Sequence, residues 1–418
     1  MKKLLILGGF PQMIDIVFAA REMGVFTVVA DRDPGSPSKR FADKKYDVST
    51  DRIDLLEEIC RSEPIDGVFT GFEDFNIHIA RELCERLALP FYATKEQLLL
   101  ITNKINFKDT CRKYGVPVIE QYTPEEARTK AEYPYIVKPA DSYGSRGITV
   151  CKSMDELEAG YKKAVKTSAS KTAVIERFID NDHGVELFYT VVNGNIHLTV
   201  TADRYTVRNG ETTVPLPVAE VFPSRHKDEI AEILDAPIRK MLSGMEIKNG
   251  LVLIQALYDG HSGYFVYEMA YRFTGEQHYR LVERQHGVRL SQMMIKLALG
   301  EDISRYDTKY LDEAYFEKPA INLALILDPG TVASVKGLDR VFRIDEVISY
   351  NLTHGEGDTV AASGDYSHML IRINMVADSY EKLKSAVALV DEYVDVRSSE
   401  GGDMLSAHFR LPEEGRDG

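Results

Sequence analysis

The sequence holds only four cysteines, Cys60, Cys84, Cys111 and Cys151, and no two of them form a CxxC pair. That scatter argues against a disulfide framework or a zinc module, and for core thiols in a reducing cytoplasm. No apolar run approaches the roughly 18 residues a membrane helix needs. The lysine-led start, MKKLLILGGFPQ, has too short an apolar stretch and no small-residue cleavage site, so it reads as a buried first strand. Positive charge is in deficit: Lys plus Arg number 51 against 65 for Asp plus Glu, a net charge of −14. General binding to nucleic acid or anionic membrane is therefore disfavoured, and a polyanionic ligand needs a local cluster of Lys, Arg and backbone N–H groups. There is no Gly-Lys dipeptide, hence no Walker A loop, and no HExxH, GxSxG or GxGxxG.

What is present is a soluble globular composition, 418 residues with 44% hydrophobic and 28% charged. The length suits about two to four domains. The first hundred residues alternate strand and helix. KLLILGG (3–9), FTVVAD (26–31) and DGVFTG (66–71) are short buried strands, and helical stretches follow each. This alternation predicts a parallel doubly wound sheet with ligands at the strand ends, near Gly8–Gly9, Asp31 and Gly71. Residues 93–132 read as helical and charged. From 184 to 222 antiparallel strands are expected, with turns at Asn193-Gly194 and Asn209-Gly210. A helix over 226–245 and a hairpin over 251–272 follow. After Pro319 a small α+β unit is expected, and from about Ser398 a polar, glycine-rich tail that frays.

Two segments carry chemistry. In YIVKPADSYGSRGITV, Lys138 ends an apolar strand and the small loop Ser142, Gly144, Ser145, Gly147 follows. Such a loop can lay N–H groups against phosphate oxygens beside a fixed ammonium. A plain hairpin with a snorkelling lysine explains the pattern equally well. In the hairpin over 251–272, Gln255 falls opposite Glu268 if the turn lies near Asp259–Gly263, and Glu268, Ala270 and Arg272 share one face. A carboxylate, an amide and an arginine so placed can hold Mg²⁺ and a transferring phosphoryl group. A cross-strand Glu–Arg pair on a solvated face is the commoner arrangement for the residues alone.

Lys104 (ITNKINFKDTCRKYGVPV), Lys138 with its loop, IERFI (175–179), Glu186 and EMAYR (268–272) stand in the order and spacing of an ATP-grasp enzyme. The chain resembles that superfamily over about residues 1–310, and beyond Pro319 it is similar to the C-terminal subdomain of the L-amino-acid ligase branch. The resemblance implies an α/β domain over 1–97 and an ATP-grasp domain over 98–315 with a lid at about 115–180. An α+β subdomain over 316–397 and a flexible tail over 398–418 complete it. It implies ATP and Mg²⁺ (with Mn²⁺ as a substitute) as cofactors. Lys104 and Lys138 would contact ATP phosphates under a loop of Ser142, Tyr143, Gly144, Ser145 and Gly147. Glu176 would face the adenine amino group, the backbone of Arg177, Phe178 and Ile179 the ring edge, and Glu186 the ribose. Glu268, with Gln255, would bind the metal, and Arg272 would steady an acyl-phosphate. Two positions depart from the family: many relatives have Glu at position 255, and carboxylase-like and synthetase-like members have Asn where this chain has Ala270.

Other residues have plainer readings beside functional ones. Glu276, Gln277 and His278 either line an acceptor pocket or start a solvated helix. Asp203 and Arg204 either reach a substrate carboxylate or form a strand-end ion pair. His226 reads as a helix-start surface residue. The expected function is a cytoplasmic ligase that activates a small carboxylate, amino acids among the candidates, and couples it to an amine, releasing ADP and phosphate. Alternatives are a carbamoyl-phosphate-synthase-like or carboxylase-like enzyme and a catalytically degenerate nucleotide-binding module. The partners expected are small molecules, with no nucleic acid or membrane, and a homodimer by analogy.

Overall fold

A computed structural model describes residues 1–142, 147–179, 183–207, 216–260, 263–311, 316–361 and 366–413. The first sheet has four parallel strands, β1 (Lys3–Leu7), β2 (Phe26–Asp31), β3 (Lys44–Asp47) and β4 (Gly67–Phe69), in the order β3-β2-β1-β4. Side chains alternate across a strand, so β1 and β2 feed two cores. Leu4, Ile6 and Val29 pack with Met13, Ile16, Val17 and Met293, while Leu5, Leu7, Val28 and Ala30 pack with Leu56, Ile59 and Leu83. Helices therefore cover both faces, as the strand–helix alternation predicts. β3 has no counterpart in the sequence reading. Its residues, KKYD, are polar and mostly exposed, and only the pairing with β2 makes them a strand.

At Gly8–Gly9 and Asp31, where ligands are expected, the two strand ends are tied together. Asp31 Oδ2 accepts from the Gly9 N–H at 2.7 Å, and a Cβ on Gly9 would lie 2.1 Å from Ser36 Oγ. The glycines serve a tight turn. Gly67 has a similar reason: a Cβ there would meet the Ala298 carbonyl oxygen at 2.1 Å, on the helix Leu290–Ala298.

A second sheet is antiparallel, ordered β5-β8-β6-β7, from β5 (Gln121–Tyr122), β6 (Tyr135–Pro139), β7 (Thr149–Cys151) and β8 (Ala173–Arg177). Helices Lys95–Thr102 and Lys104–Tyr114 lead into it. All four cysteines are free and buried, as core residues should be.

The largest sheet has eight strands. β9 (His183–Val192), β10 (Asn195–Val207) and β11 (Leu216–Phe222) precede β12 (Gly250–Tyr258) and β13 (Tyr264–Ala270) in the chain. β9 and β10 join through Asn193 and Gly194, both at positive φ, as a two-residue turn requires. The Asn209-Gly210 turn falls outside the described residues. The expected helix over 226–245 runs without a gap through Lys227–Ile230, a π-turn at Ala231–Asp235 and Ala236–Gly244. Pro237 follows the π-turn and has no N–H to continue the ladder.

β14 (Ala320–Ile326), β15 (Gly330–Lys336), β16 (Val347–Leu352), β17 (Thr359–Val360), β18 (Met369–Val376) and β19 (Asp395–Ser398) complete the chain. The eight-stranded sheet runs β13-β12-β9-β10-β11-β14-β18-β16, because β11 pairs with β14, Val221 opposite Ile321. The α+β region after Pro319 thus extends the central sheet rather than standing apart. β16 is its outer edge, with Tyr350 and Leu352 exposed and the Phe342 ring stacked on Tyr350 at 3.8 Å.

The flexible tail expected over 398–418 is corrected as far as residue 413. Met404, Leu405 and Leu411 are buried in the core beneath helix Tyr380–Tyr393. The Asp328 N–H donates to the Met404 carbonyl at 2.7 Å and the Ser406 N–H to Ile326 at 2.8 Å. Glycine and charge around positions 399–403 conceal three apolar residues that find a core. No helix among the described residues is long and apolar enough to cross a membrane.

Candidate active site

Lys138 sits near the end of β6, where Ile136 pairs with Glu176 of β8. Its Nζ donates to Glu176 Oε2 at 2.9 Å, and Lys108 Nζ, from the helix Lys104–Tyr114, donates to the other oxygen. Both Glu176 and Lys108 are 1% exposed. Burial alone would raise the Glu176 pKa, but Lys138 and Lys108 hold it down at about 2. Burial, helped by the Lys138 charge, pulls Lys108 down to about 8 against Glu176.

Glu176, expected to face an adenine amino group, has its carboxylate placed as the counter-ion of two lysines. The N–H groups of Arg177 and Phe178 are likewise used, on the Glu120 and Pro134 carbonyls at 3.1 and 3.3 Å. The Arg177 guanidinium donates to Asp259 at 3.1 Å and lies over the Phe265 ring. Ile179 is buried.

Lys104 donates to the Ser142 carbonyl at 2.6 Å, which ties the start of the small loop to the helix. Tyr143, Gly144 and Ser145 lie outside the described residues. Gly147 has φ +78°, and a Cβ there would come 2.8 Å from Pro139 Cγ and 2.9 Å from Thr167, so only glycine fits this return into β7. Burial lowers the Lys104 pKa, opposed first by Glu268; Lys138, Glu176 and Asp74 are the next charges it feels.

Across three neighbouring strands, Glu186 of β9, Gln255 of β12 and Glu268 of β13 stand in one row. The pairing of Gln255 with Glu268 is as the sequence predicts. Gln255 also donates its amide N–H to Glu186 Oε1 at 2.7 Å. Glu268 is exposed, with no hydrogen bond or ion pair among the described residues. Arg272, just past β13, makes a two-pronged bond to Asp74, Nε–Oδ1 2.6 Å and Nη2–Oδ2 2.9 Å. Asp74 opens the helix Asp74–Leu87 of the first α/β unit. The nearby Phe72 N–H bonds the Phe273 carbonyl at 2.9 Å. Ala270 is buried.

Residues 103–306 match the family described as "Carbamoyl-phosphate synthase L chain, ATP binding domain". This stretch is an ATP-grasp domain.

Among curated proteins the chain is similar to the formate-dependent phosphoribosylglycinamide formyltransferase of Ignicoccus hospitalis. The two are 26% identical over 228 residues, 52% of this chain and 53% of that protein. It is also similar to the C-terminal section of the carbamoyl phosphate synthase large chain of Methanopyrus kandleri, 24% identical over 79% of this chain and 62% of that one. The chain spans about half the length of the first of the curated relatives it matches. Its fold is that of the L-amino acid ligase from Bacillus licheniformis, with TM-score 0.78, 19% identity, and 96% and 99% of the two chains covered. Phosphoribosylglycinamide synthetase from Anaerococcus prevotii gives TM-score 0.73 and 17% identity, over 95% and 100%.

Within the ATP-grasp domain, sequence reasoning missed Lys108 and the partner of Arg272. Lys108 was legible: it lies one helical turn after Lys104, on the same helix face. Asp74 was not, being 198 positions from Arg272. Asp203 supports a turn, accepting from Ser224 Oγ at 2.5 Å and the Arg225 N–H at 3.1 Å, while Arg204 lies 3.8 Å from Glu186. His226 precedes the short helix Lys227–Ile230, half-buried beside Tyr258 and Tyr264. Gln277 reaches back to Asp15 at 2.9 Å. Arg280 pairs with the same carboxylate, so the ATP-grasp domain is pinned to the first α/β unit there too. Glu276 is half-buried and His278 buried, rather than on a solvated helix start.

Proposed function

We propose that the chain is an ATP- and Mg²⁺-dependent ligase that activates a small carboxylate as an acyl-phosphate and passes the acyl group to an amine. One observation carries this reading. Lys104 lies in the field of Glu268, Lys138, Glu176 and Asp74, so residues from four separate segments converge on one ammonium group. Of these groups only Lys138 is a second cation, so Lys104 and Lys138 are the fixed positive charges offered to a triphosphate, with the open Glu268 beside them for its metal.

The donor set suits Mg²⁺. Glu268 is an open carboxylate, and Gln255 spends its N–H on Glu186, which leaves its oxygen as the atom for a hard cation. When bound there, Mg²⁺ supplies charge neutralisation to the phosphates. Lys104 and Lys138 would bind and orient the phosphate oxygens. Arg272, held by Asp74, would orient the carboxylate and keep its charge beside the new acyl-phosphate. The carboxylate oxygen forms a bond to the γ-phosphorus as the bond to ADP breaks. The amine nitrogen then attacks the carbonyl carbon, phosphate leaves with the bonding pair, and the amine loses a proton.

ADP release measured against a panel of carboxylates and amines tests the reading, with hydroxylamine trapping the acyl-phosphate as a hydroxamate. Bicarbonate belongs in the panel, since turnover with it alone would favour the carboxylase-like alternative. Nucleotide binding without ADP release under any pair would sink the ligase reading. It would favour a nucleotide-binding module, which the bond from Gln255 to Glu186 also permits.

A further inference from the structure

Behind the row of Glu186, Gln255 and Glu268 lies a second group of ligand-type side chains. Glu186 of β9, Glu220 of β11 and His278, which opens the helix His278–His286, each offer one donor atom, all within 4.8 Å of one another. All three residues are at most 4% exposed. Glu186 Oε2 and Glu220 Oε1 are buried with no hydrogen-bond partner, an expensive state for a carboxylate oxygen. His278 Nε2 points into the group, 2.5 Å from Glu220 Oε2 and 4.0 Å from Glu186 Oε2. Its other nitrogen, Nδ1, lies 2.9 Å from Thr274 Oγ1. A donor bond from Nδ1 to that hydroxyl leaves the Nε2 lone pair free, the support that metal-binding histidines have.

We propose that Glu186, Glu220 and His278 form a buried divalent-cation site, separate from the Glu268 and Gln255 pair. Two carboxylates and an imidazole suit Mn²⁺ or Zn²⁺ better than Mg²⁺. Without a cation, burial and the Glu220 charge push Glu186 up to about 8, and burial and the Glu276 charge raise Glu220 well above its ordinary value. Burial brings His278 down to about 4. The cation takes the place of the proton shared by Glu220 and His278 and releases it to solvent. Arg204 approaches Glu186 from the Oε1 side at 3.8 Å, the oxygen that Gln255 also holds, which leaves Oε2 for the metal. Glu276 and Arg372 contribute opposite charges nearby. An ammonium ligand would use the carboxylates but has no need of the imidazole, whose orientation by Thr274 favours the metal.

The site is independent of the ligase reading, so its test omits nucleotide. Full-length protein is stripped with chelator and dialysed against Mn²⁺ or Zn²⁺ alone, and its metal content and melting temperature are measured. About one ion per chain and a higher melting temperature are expected. Glu220→Gln and His278→Ala should lose both, while Glu268→Ala keeps them. Because buried variants can fail to fold, Co²⁺ is added to the wild-type protein as well. Visible absorption of a low-coordinate site with a nitrogen ligand supports the site, and a weak six-oxygen spectrum overturns it. No bound ion, ion binding lost only in Glu268→Ala, or stabilisation by methylammonium but by neither metal would each overturn the proposal.

Discussion

At Glu176 one carboxylate serves two ammonium groups inside the protein. Replacing it by Gln leaves Lys108 and Lys138 facing each other without a counter-ion. Breaking a buried pair of this kind costs roughly 3–5 kcal/mol. Glu176→Gln should therefore lower the urea midpoint well beyond experimental scatter, and an unchanged midpoint would refute the counter-ion role. The sign of the pH effect follows from the held value of about 2 against the ordinary 4.5. The wild-type contribution is whole above about 4.5 and is lost as pH falls towards 2, so the variant should show a flatter acid limb. Gln255 makes a second prediction. Gln255→Glu removes the N–H that serves Glu186 and sets carboxylate against carboxylate. The Mg²⁺ concentration for half-maximal turnover should fall, while the metal-free protein unfolds at a lower temperature. An unaltered Mg²⁺ requirement would take residue 255 out of the metal site. These residues were legible as types in order along the chain. Their partners were less so, because a side chain's hydrogen bond depends on what packs beside it.

The hairpin β12–β13 was readable in register because its strands are joined by a short turn, and alternation then fixes which residues face each other. The third member of the row, Glu186, lies 69 positions from Gln255, and only the sheet order puts β9 beside β12. The helix Asp74–Leu87 shows the same limit. Its start is visible in the sequence, yet its first residue acts on Arg272. Asp74→Ala should free the guanidinium to turn away from the site. Charged hydrogen bonds of this kind are worth about 1.5–3 kcal/mol, so kcat for ADP release should fall about tenfold to a hundredfold. Unchanged turnover in a folded Asp74→Ala protein would show that Arg272 needs no such support.

Across the whole molecule, strand–helix alternation gave the doubly wound unit, while the composition of the last residues misled. Met404, Leu405 and Leu411 each bury an apolar side chain worth roughly 1.5–3 kcal/mol at most. A chain ended at Ser398 should melt several degrees lower, and calorimetry that finds no change would restore the loose tail. The central sheet also has two ends of different character. At one, β13 is covered: the Val266 N–H donates to the Pro117 carbonyl at 2.8 Å. At the other, among the described residues no strand lies beyond β16, and its edge carries Tyr350 and Leu352 in the open. Unpaired backbone beside exposed apolar side chains is a template for unwanted stacking between molecules. Precipitation on concentration should therefore begin at β16, and Tyr350→Lys should raise the solubility limit without touching turnover.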